Sequence, residues 1–473
     1  MRMCTLLVED DEEFVNELLL VLSTLDGPPD VTVARSRDTA YQQLESAFFD
    51  LIVLDLKIPT TDGALDANPN YGRAVFGHAL KSAPGTPILI LTGSPAEDFI
   101  SDMMERKRQH DVWGEGHEVG TVTFLTKSKF NESTEKLRPF ATAIFRLSDI
   151  ELERGDGDLG VEDDRLVRIF TKRAGGVRCV TSMISGGMSS AKVMRLKVTG
   201  ASGASVVDAV AKLGSIAEVG DESNRFDNHV SRLDHTATPR MLRTLEFGAK
   251  SRAGIFYGLA EGFDFDAFGM ATGELQTEVV AAARQATSRW LIGVGETPKS
   301  GREIRQKLIS DTDFQHAIQP HALLWINEVE NRQVQTRWCC VHGDLHGANV
   351  LAKGNAECVL IDFGDVGGGP ASLDPITLEL SLLFHPKGPL RASNWPSLEQ
   401  AARFADLDAY VAGCPAEKYV RACREWANAV AAGPREIATS AYGYLVRQLK
   451  YPDTRKDLAL QLLEGVRTWF VST

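Results

Sequence analysis

Nowhere in this chain does an apolar run approach the roughly 20 residues that a membrane-spanning helix needs. Basic charge is short as well. Lys and Arg number 51 against 64 Asp and Glu, leaving a net charge of −13. No basic stripe marks a recognition helix, so nucleic acid is not an expected partner. The one basic cluster, Glu105-Arg106-Lys107-Arg108, is brief and reads as a solvated helix face. Cysteine is sparse and odd in number: Cys4, Cys179, Cys339, Cys340, Cys358, Cys414 and Cys423. No CxxC spacing occurs among them, which points to reduced thiols and against a disulfide framework or a zinc ribbon. Neither G-x-x-x-x-G-K-[ST] nor H-E-x-x-H is present, so a P-loop and a zinc-protease helix are both excluded. Met1 opens almost straight into a strand, with no leader pattern. Internal repeats and low-complexity tracts are absent too. These absences leave a cytoplasmic chain without membrane or nucleic-acid partners, long enough at 473 residues for about three compact units.

What is there centres on Val341-His342-Gly343-Asp344-Leu345-His346-Gly347-Ala348-Asn349-Val350-Leu351, followed by Leu360-Ile361-Asp362-Phe363-Gly364-Asp365. Asp344, Asn349 five positions later and Asp362 at the end of the next apolar strand form a minimal set for moving a terminal phosphoryl group. The first carboxylate can orient an attacking hydroxyl and accept its proton. The Asn oxygen and the second carboxylate can hold magnesium against phosphates. His342 and His346 lie four apart, but no third ligand accompanies them, and His342 reads as a scaffold for the turn. The form HGDLHxxN followed by IDFGD resembles the aminoglycoside phosphotransferase and choline kinase branch of the kinase-like fold. That resemblance spans roughly Cys179 to Pro386. It implies a two-lobed domain using Mg2+ with ATP or GTP.

A nucleotide-binding small lobe should then precede the catalytic turn. Val177 to Ile184 and Lys192 to Val198 read as strands around Ser185-Gly186-Gly187-Met188-Ser189-Ser190-Ala191. A small-residue turn of this kind, with Gly186, Gly187, Ser189 and Ser190, lets backbone amides approach phosphates, although it also reads as an ordinary hairpin. Lys212 ends the largely apolar Val206–Gly214 run and resembles the V-A-I-K strand lysine that touches nucleotide phosphates. The helix expected over Ala217 to Leu233 offers Glu218 and Glu222 as its ion-pair partner. Glu222 is preferred because Phe226 and Val230 follow on its face at four-residue spacing.

The first 147 residues carry a separate pattern. Leu6-Leu7-Val8 runs into Glu9-Asp10-Asp11, and Leu51-Ile52-Val53-Leu54 ends at Asp55. Ile88-Leu89-Ile90-Leu91 ends at Thr92, and Val122-Thr123-Phe124-Leu125-Thr126 ends at Lys127. Near-continuous apolar runs mark parallel strands buried on both faces, and an open α/β sheet gathers its site at their carboxyl ends. This set resembles the receiver domain of two-component response regulators, flavodoxin-like in fold. The resemblance implies that Asp55 is the phospho-acceptor, that Asp10 and Asp11 hold magnesium with it, and that Thr92 and Lys127 form the switch. The segments Ile58 to Gly72 and Met103 to His117 are longer than is usual in that family, and Ser128 stands where the family usually has Pro.

The expected organisation is therefore a receiver over 1–147, a hydrated acidic linker over 148–164, a small lobe over 165–262 and a helical catalytic lobe over 263–473. The fold class expected is an α/β flavodoxin-like receiver followed by an α+β two-lobed kinase-like domain. The function expected is a receiver-regulated phosphotransferase acting on an unidentified hydroxyl acceptor. Its phosphodonor would be a histidine kinase or phosphotransfer protein, since no dimerisation helix is seen here. The alternative is a kinase-like pseudo-enzyme or scaffold acting as a signalling output, and a third reading makes the chain a phosphate sink.

Overall fold

Apolar strands at the start of the chain, with few turn residues inside them, stack as neighbours in one sheet. The structure, a computed structural model, describes residues 1–25, 27–93, 109–155, 158–185, 191–259 and 262–473. It divides into two compact units: Met1–Gly220 with Met241–Gly258, and Asp221–Arg240 with Leu259–Thr473.

In the first unit, β1 (Cys4–Val8), β2 (Asp30–Ala34), β3 (Leu51–Leu54), β4 (Ile88–Thr92) and, after the short β5 (Gln109–His110) and β6 (Val119–Gly120), β7 (Val122–Thr126) follow one another. The sheet order is β2-β1-β3-β4-β7, and every pairing is parallel. This is the flavodoxin-like order in which the site lies at the carboxyl ends of the strands. Leu7, Val53 and Leu89 face one core, while Leu6, Ile52 and Ile90 face the other. Alternate residues thus fill both sides, which is why the strands read as unbroken apolar runs. Val8 pairs with Leu54 and Leu54 with Ile90, so the residues that follow these strands emerge level with one another.

A second sheet in the same unit runs β12 (Arg240–Leu245), β13 (Arg252–Leu259), β11 (Ser205–Ser215), β10 (Lys192–Thr199), β9 (Arg178–Ser185) and β8 (Glu151–Arg154). The expected strands around 177–184, 192–198 and 206–214 appear within a residue of their bounds. One hydrophobic core joins the two sheets. Leu7, Val53 and Phe140 belong to it together with Leu166, Phe170, Leu196 and Phe256. Phe170 stacks on Phe256 with 4.2 Å between ring centroids.

Much of the segment expected to be a hydrated acidic linker forms regular elements among the described residues. It contributes β8 to the second sheet and opens the Val161–Arg173 helix, where Asp163, Asp164 and Arg165 are all buried. The carboxylates stay inside because each is paired. Asp164 bonds Arg154 at 2.8 Å and Arg168 at 2.6 Å, and Asp163 bonds Lys192 at 2.9 Å and Arg252 at 3.0 Å. Breaking one member of a buried pair costs about 3–5 kcal/mol, because the other charge is left uncompensated.

In the second unit, Gln333–Val341 pairs antiparallel with Glu296–Ser300 and Gly367–Pro370, and Val350–Ala352 pairs antiparallel with Cys358–Leu360. Helices dominate the rest. The helical lobe expected here includes Leu398–Ala402, Leu407–Val411, Glu417–Val430 and Lys456–Ser472. Leu373–Phe384 is buried all round, as its apolar sequence requires. Among the described residues no helix is long and apolar enough to cross a membrane.

Candidate functional site

Two constellations emerge, one in each unit. At the end of the parallel sheet, the ligand atoms of Glu9, Asp10 and Asp55 lie within 4.8 Å of one another. Lys127 sits among them, 2.7 Å from Glu9 and 2.8 Å from Asp55. Burial and then the Asp55 carboxylate push Glu9 up to about 7. Burial alone would lower Lys127, but its bonds to Asp55 and Glu9 outweigh that and raise it. Three clustered carboxylate ligands suit a hard divalent cation such as Mg2+.

The sequence reading of Asp11 is corrected here. Its side chain caps the Glu12–Ser23 helix, accepting from the backbone N–H groups of Glu13 at 3.0 Å and Phe14 at 3.2 Å. A short carboxylate preceding a helix satisfies orphan amide donors, and the carboxylate that groups with Asp10 and Asp55 is that of Glu9. Thr92 ends β4, but its side chain lies outside the described residues.

The second constellation follows the Gln333–Val341 strand. His342 is fully buried, and its Nε2 bonds the Ile361 carbonyl at 3.0 Å. Asp374, which the sequence reading missed, accepts from the backbone N–H of His342 at 2.9 Å and of Gly343 at 3.1 Å. Gly343 has φ +84°, and a Cβ there would meet the Asp365 carbonyl at 2.5 Å. Only glycine lets the two motif segments approach so closely. Asn349 donates its amide N–H to the Asp344 carbonyl at 2.9 Å, and its own backbone carbonyl accepts from Ile361. With its nitrogen spent in this way, the Asn349 side-chain oxygen is left as an acceptor for a cation. Asp362 adopts a left-handed φ of 63°, a strained setting for a non-glycine residue and one that recurs at functional sites.

Asp344 Oδ1 accepts from Arg447 at 2.9 Å, and His346 Nε2 lies 3.8 Å from Oδ2. Burial would raise the Asp344 carboxyl, yet Arg447 and then His346 hold it well below the usual carboxylate range. Arg447 is bonded in turn to the Tyr451 hydroxyl. His346 packs on His385 with 4.2 Å between ring centroids, and Phe268 lies against both. Burial, then His346, pushes His385 down to about 3. Arg447, Asp374 and His385 carried no short-range sequence signal, because each meets the turn from a distant helix or loop.

The remaining expected site residues fall as follows. Lys212 lies in β11, paired with Val193, in the first unit. Glu222 is buried on the Ile216–Asn228 helix, in the second. Gly186, Gly187, Ser189 and Ser190 lie outside the described residues, as do Ala260 and Glu261 near the end of the expected small lobe and the cluster Glu105 to Arg108. A groove of about 600 Å³ lined by Val280, Arg284, Trp426 and Val430 includes none of Asp344, Asn349 and Asp362.

Residues 269–424, which include Asp344, Asn349 and Asp362, match the model of the phosphotransferase enzyme family. No curated protein matches the chain by sequence. Among solved structures, the chain is similar to the phosphorylated cyanobacterial phytochrome response regulator RcpA. That match has 21% identity over 30% of this chain and 96% of that one, with a TM-score of 0.23. It is also similar to an aminoglycoside-3'-phosphotransferase of type VIII, at 17% identity over 56% of this chain and all of that one, TM-score 0.33. A thermostable mutant of the aminoglycoside phosphotransferase APH(4)-Ia in its apo form matches at 15% identity over 62% of this chain and 94% of that one, TM-score 0.33. Residues 269–424 are thus similar to the phosphotransferase enzyme family, while the parallel β2-β1-β3-β4-β7 sheet carries the flavodoxin-like strand order by its own topology.

Proposed function

We propose that this chain transfers the terminal phosphoryl group of ATP or GTP to a hydroxyl acceptor, under control of aspartyl phosphorylation at Asp55. The observation that carries the reading is the catalytic turn itself. Asp344 rests on a buried backbone held by Asn349 and Asp374, and Asp362 emerges from the paired strand segment beside it. In this reading the Asp344 carboxylate orients the acceptor hydroxyl and takes its proton as the new oxygen–phosphorus bond forms. The bond from that phosphorus to the nucleotide's leaving oxygen breaks in the same transfer. Asn349 and Asp362 hold Mg2+, and Lys212, oriented by Glu222, meets the phosphates. Gly186, Gly187, Ser189 and Ser190 retain the role of covering them. Magnesium, when bound, offsets phosphate charge that the protein's own carboxylates would repel. In the first unit, Glu9 and Asp10 replace the expected Asp10 and Asp11 as metal ligands beside Asp55. A histidine kinase or phosphotransfer protein supplies the phosphoryl group, with Thr92 and Lys127 as the switch.

One observation favours a second reading, a nucleotide-binding scaffold: the Asp344 carboxylate is already engaged by Arg447. Nucleotide turnover by the purified chain, with and without acetyl phosphate, separates the two. Turnover that depends on acetyl phosphate supports a regulated enzyme. Nucleotide binding without any turnover supports the scaffold.

A further inference from the structure

The Val161–Arg173 helix grips both sheets of the first unit from a single turn. Arg165 reaches Asp50 with two bonds, Nε to Oδ1 at 2.8 Å and NH2 to Oδ2 at 3.0 Å, and both side chains are buried. Asp50 also accepts from the Cys4 backbone N–H at 2.8 Å. Arg165 therefore ties together the leading ends of β1 and β3, the two strands whose far ends deliver Glu9 and Asp55 to the acidic centre.

Two positions earlier, Asp163 bonds Lys192 at 2.9 Å and Arg252 at 3.0 Å. Arg252 passes the contact on, donating to the Leu213 carbonyl at 2.9 Å. Lys192 and Leu213 are register partners across the β10–β11 ladder, and the next pair is Val193 with Lys212. Asp163 thus closes a network around the end of β10–β11 that carries Lys212. A second tie runs in parallel: Gly85 donates to the Lys250 carbonyl, Gly248 donates to the Gly85 carbonyl, and Lys250 Nζ donates to the Ala47 carbonyl.

We propose that Asp163 is a positioning residue for the Lys212 strand, and that the Val161–Arg173 helix carries the state of the Asp55 centre to that strand. This rests on the reading given above for Asp55 and Lys212, and it specifies how the two are linked. The physical basis is that a packed core shifts between discrete arrangements more readily than it deforms continuously. A displacement of β1 or β3 on phosphorylation moves Arg165. The helix is too short and too well packed to absorb that movement, so Asp163 moves with it.

The test is a linkage measurement on the full chain. The affinity for magnesium–ATP is measured with and without beryllofluoride, a stable analogue of an aspartyl phosphate. The parent should show a shift of about 5- to 150-fold, the usual range for coupled sites. Asp163→Asn should still bind both ligands, but with the shift reduced below about twofold. Lys192→Met removes the partner from the more exposed side and should give the same loss, with thermal unfolding checking that each variant is folded. A full-sized shift in both folded variants overturns the inference, as does a parent that binds both ligands with no shift. A parent that binds beryllofluoride but no nucleotide overturns the nucleotide role of Lys212, and the inference with it.

Discussion

Of the carboxylates that face a cation, Asp55 before Lys127 and Asp344 before Arg447 stand in different surroundings, which make them different instruments. Lys127 is shared between Asp55 and Glu9, with Asp10 beside them, so negative charge exceeds positive. The surplus shows in Glu9, which burial and Asp55 push up to about 7. Such a centre calls for a divalent cation. Arg447 bonds a single carboxylate among the described ion pairs, that of Asp344, besides the Tyr451 hydroxyl. The pair calls for no further charge and fixes the direction of the carboxylate instead. One carboxylate thus stands in a surplus of negative charge and the other opposite an arginine of its own.

The largest effect should come from Asp55→Asn. Labelling by a phosphodonor should vanish while nucleotide binding persists, and label remaining at the parental level would move the acceptor elsewhere. Next is Asp344→Asn, which keeps the side chain's shape and removes its charge. Turnover should fall by about a hundredfold or more, the usual worth of a positioned general base, with nucleotide affinity nearly unchanged. Parental turnover in that variant would reopen the assignment of the whole turn.

The balance at Asp344 can be tested from the other side. Arg447→Met should lower stability by about 2 kcal/mol in denaturant unfolding, because it leaves a partly buried carboxylate unpaired. Adding Asp344→Asn should recover part of that loss. Purely additive effects would show that the two groups are not coupled.

The smallest effect sharpens the metal assignment. Glu9→Gln should weaken magnesium binding at the acidic centre, read by titration. Asp11→Asn should leave it unchanged, because Asn caps a helix about as well as Asp. A loss confined to Asp11→Asn would restore the original pairing of Asp10 with Asp11.

Sequence reading fared best where partners are close along the chain. Asp344, Asn349 and Asp362 are linked through Asn349, which bonds the backbone of Asp344 and of Ile361, all within one turn and its neighbouring strand. It failed at Asp11, where a local cap competed with the metal role and won. It failed again at Asp163 and Asp164, which look solvated until Lys192, Arg252 and Arg154 are seen around them. The Pro434–Leu449 helix escaped notice as an amphipathic element because it is buried on nearly every face, and it is the helix that carries Arg447.

The sequence by itself determined the parallel strands, the acidic strand ends and the order of the phosphoryl-transfer motif. Apolar runs and short spacings impose those through neighbouring residues alone. Only the tertiary structure decided that Glu9 joins Asp55, that Arg447 holds Asp344 and that Asp163 and Asp164, at the end of the acidic run, are buried. Each of these depends on which distant charge folds against a carboxylate, and no local pattern encodes that.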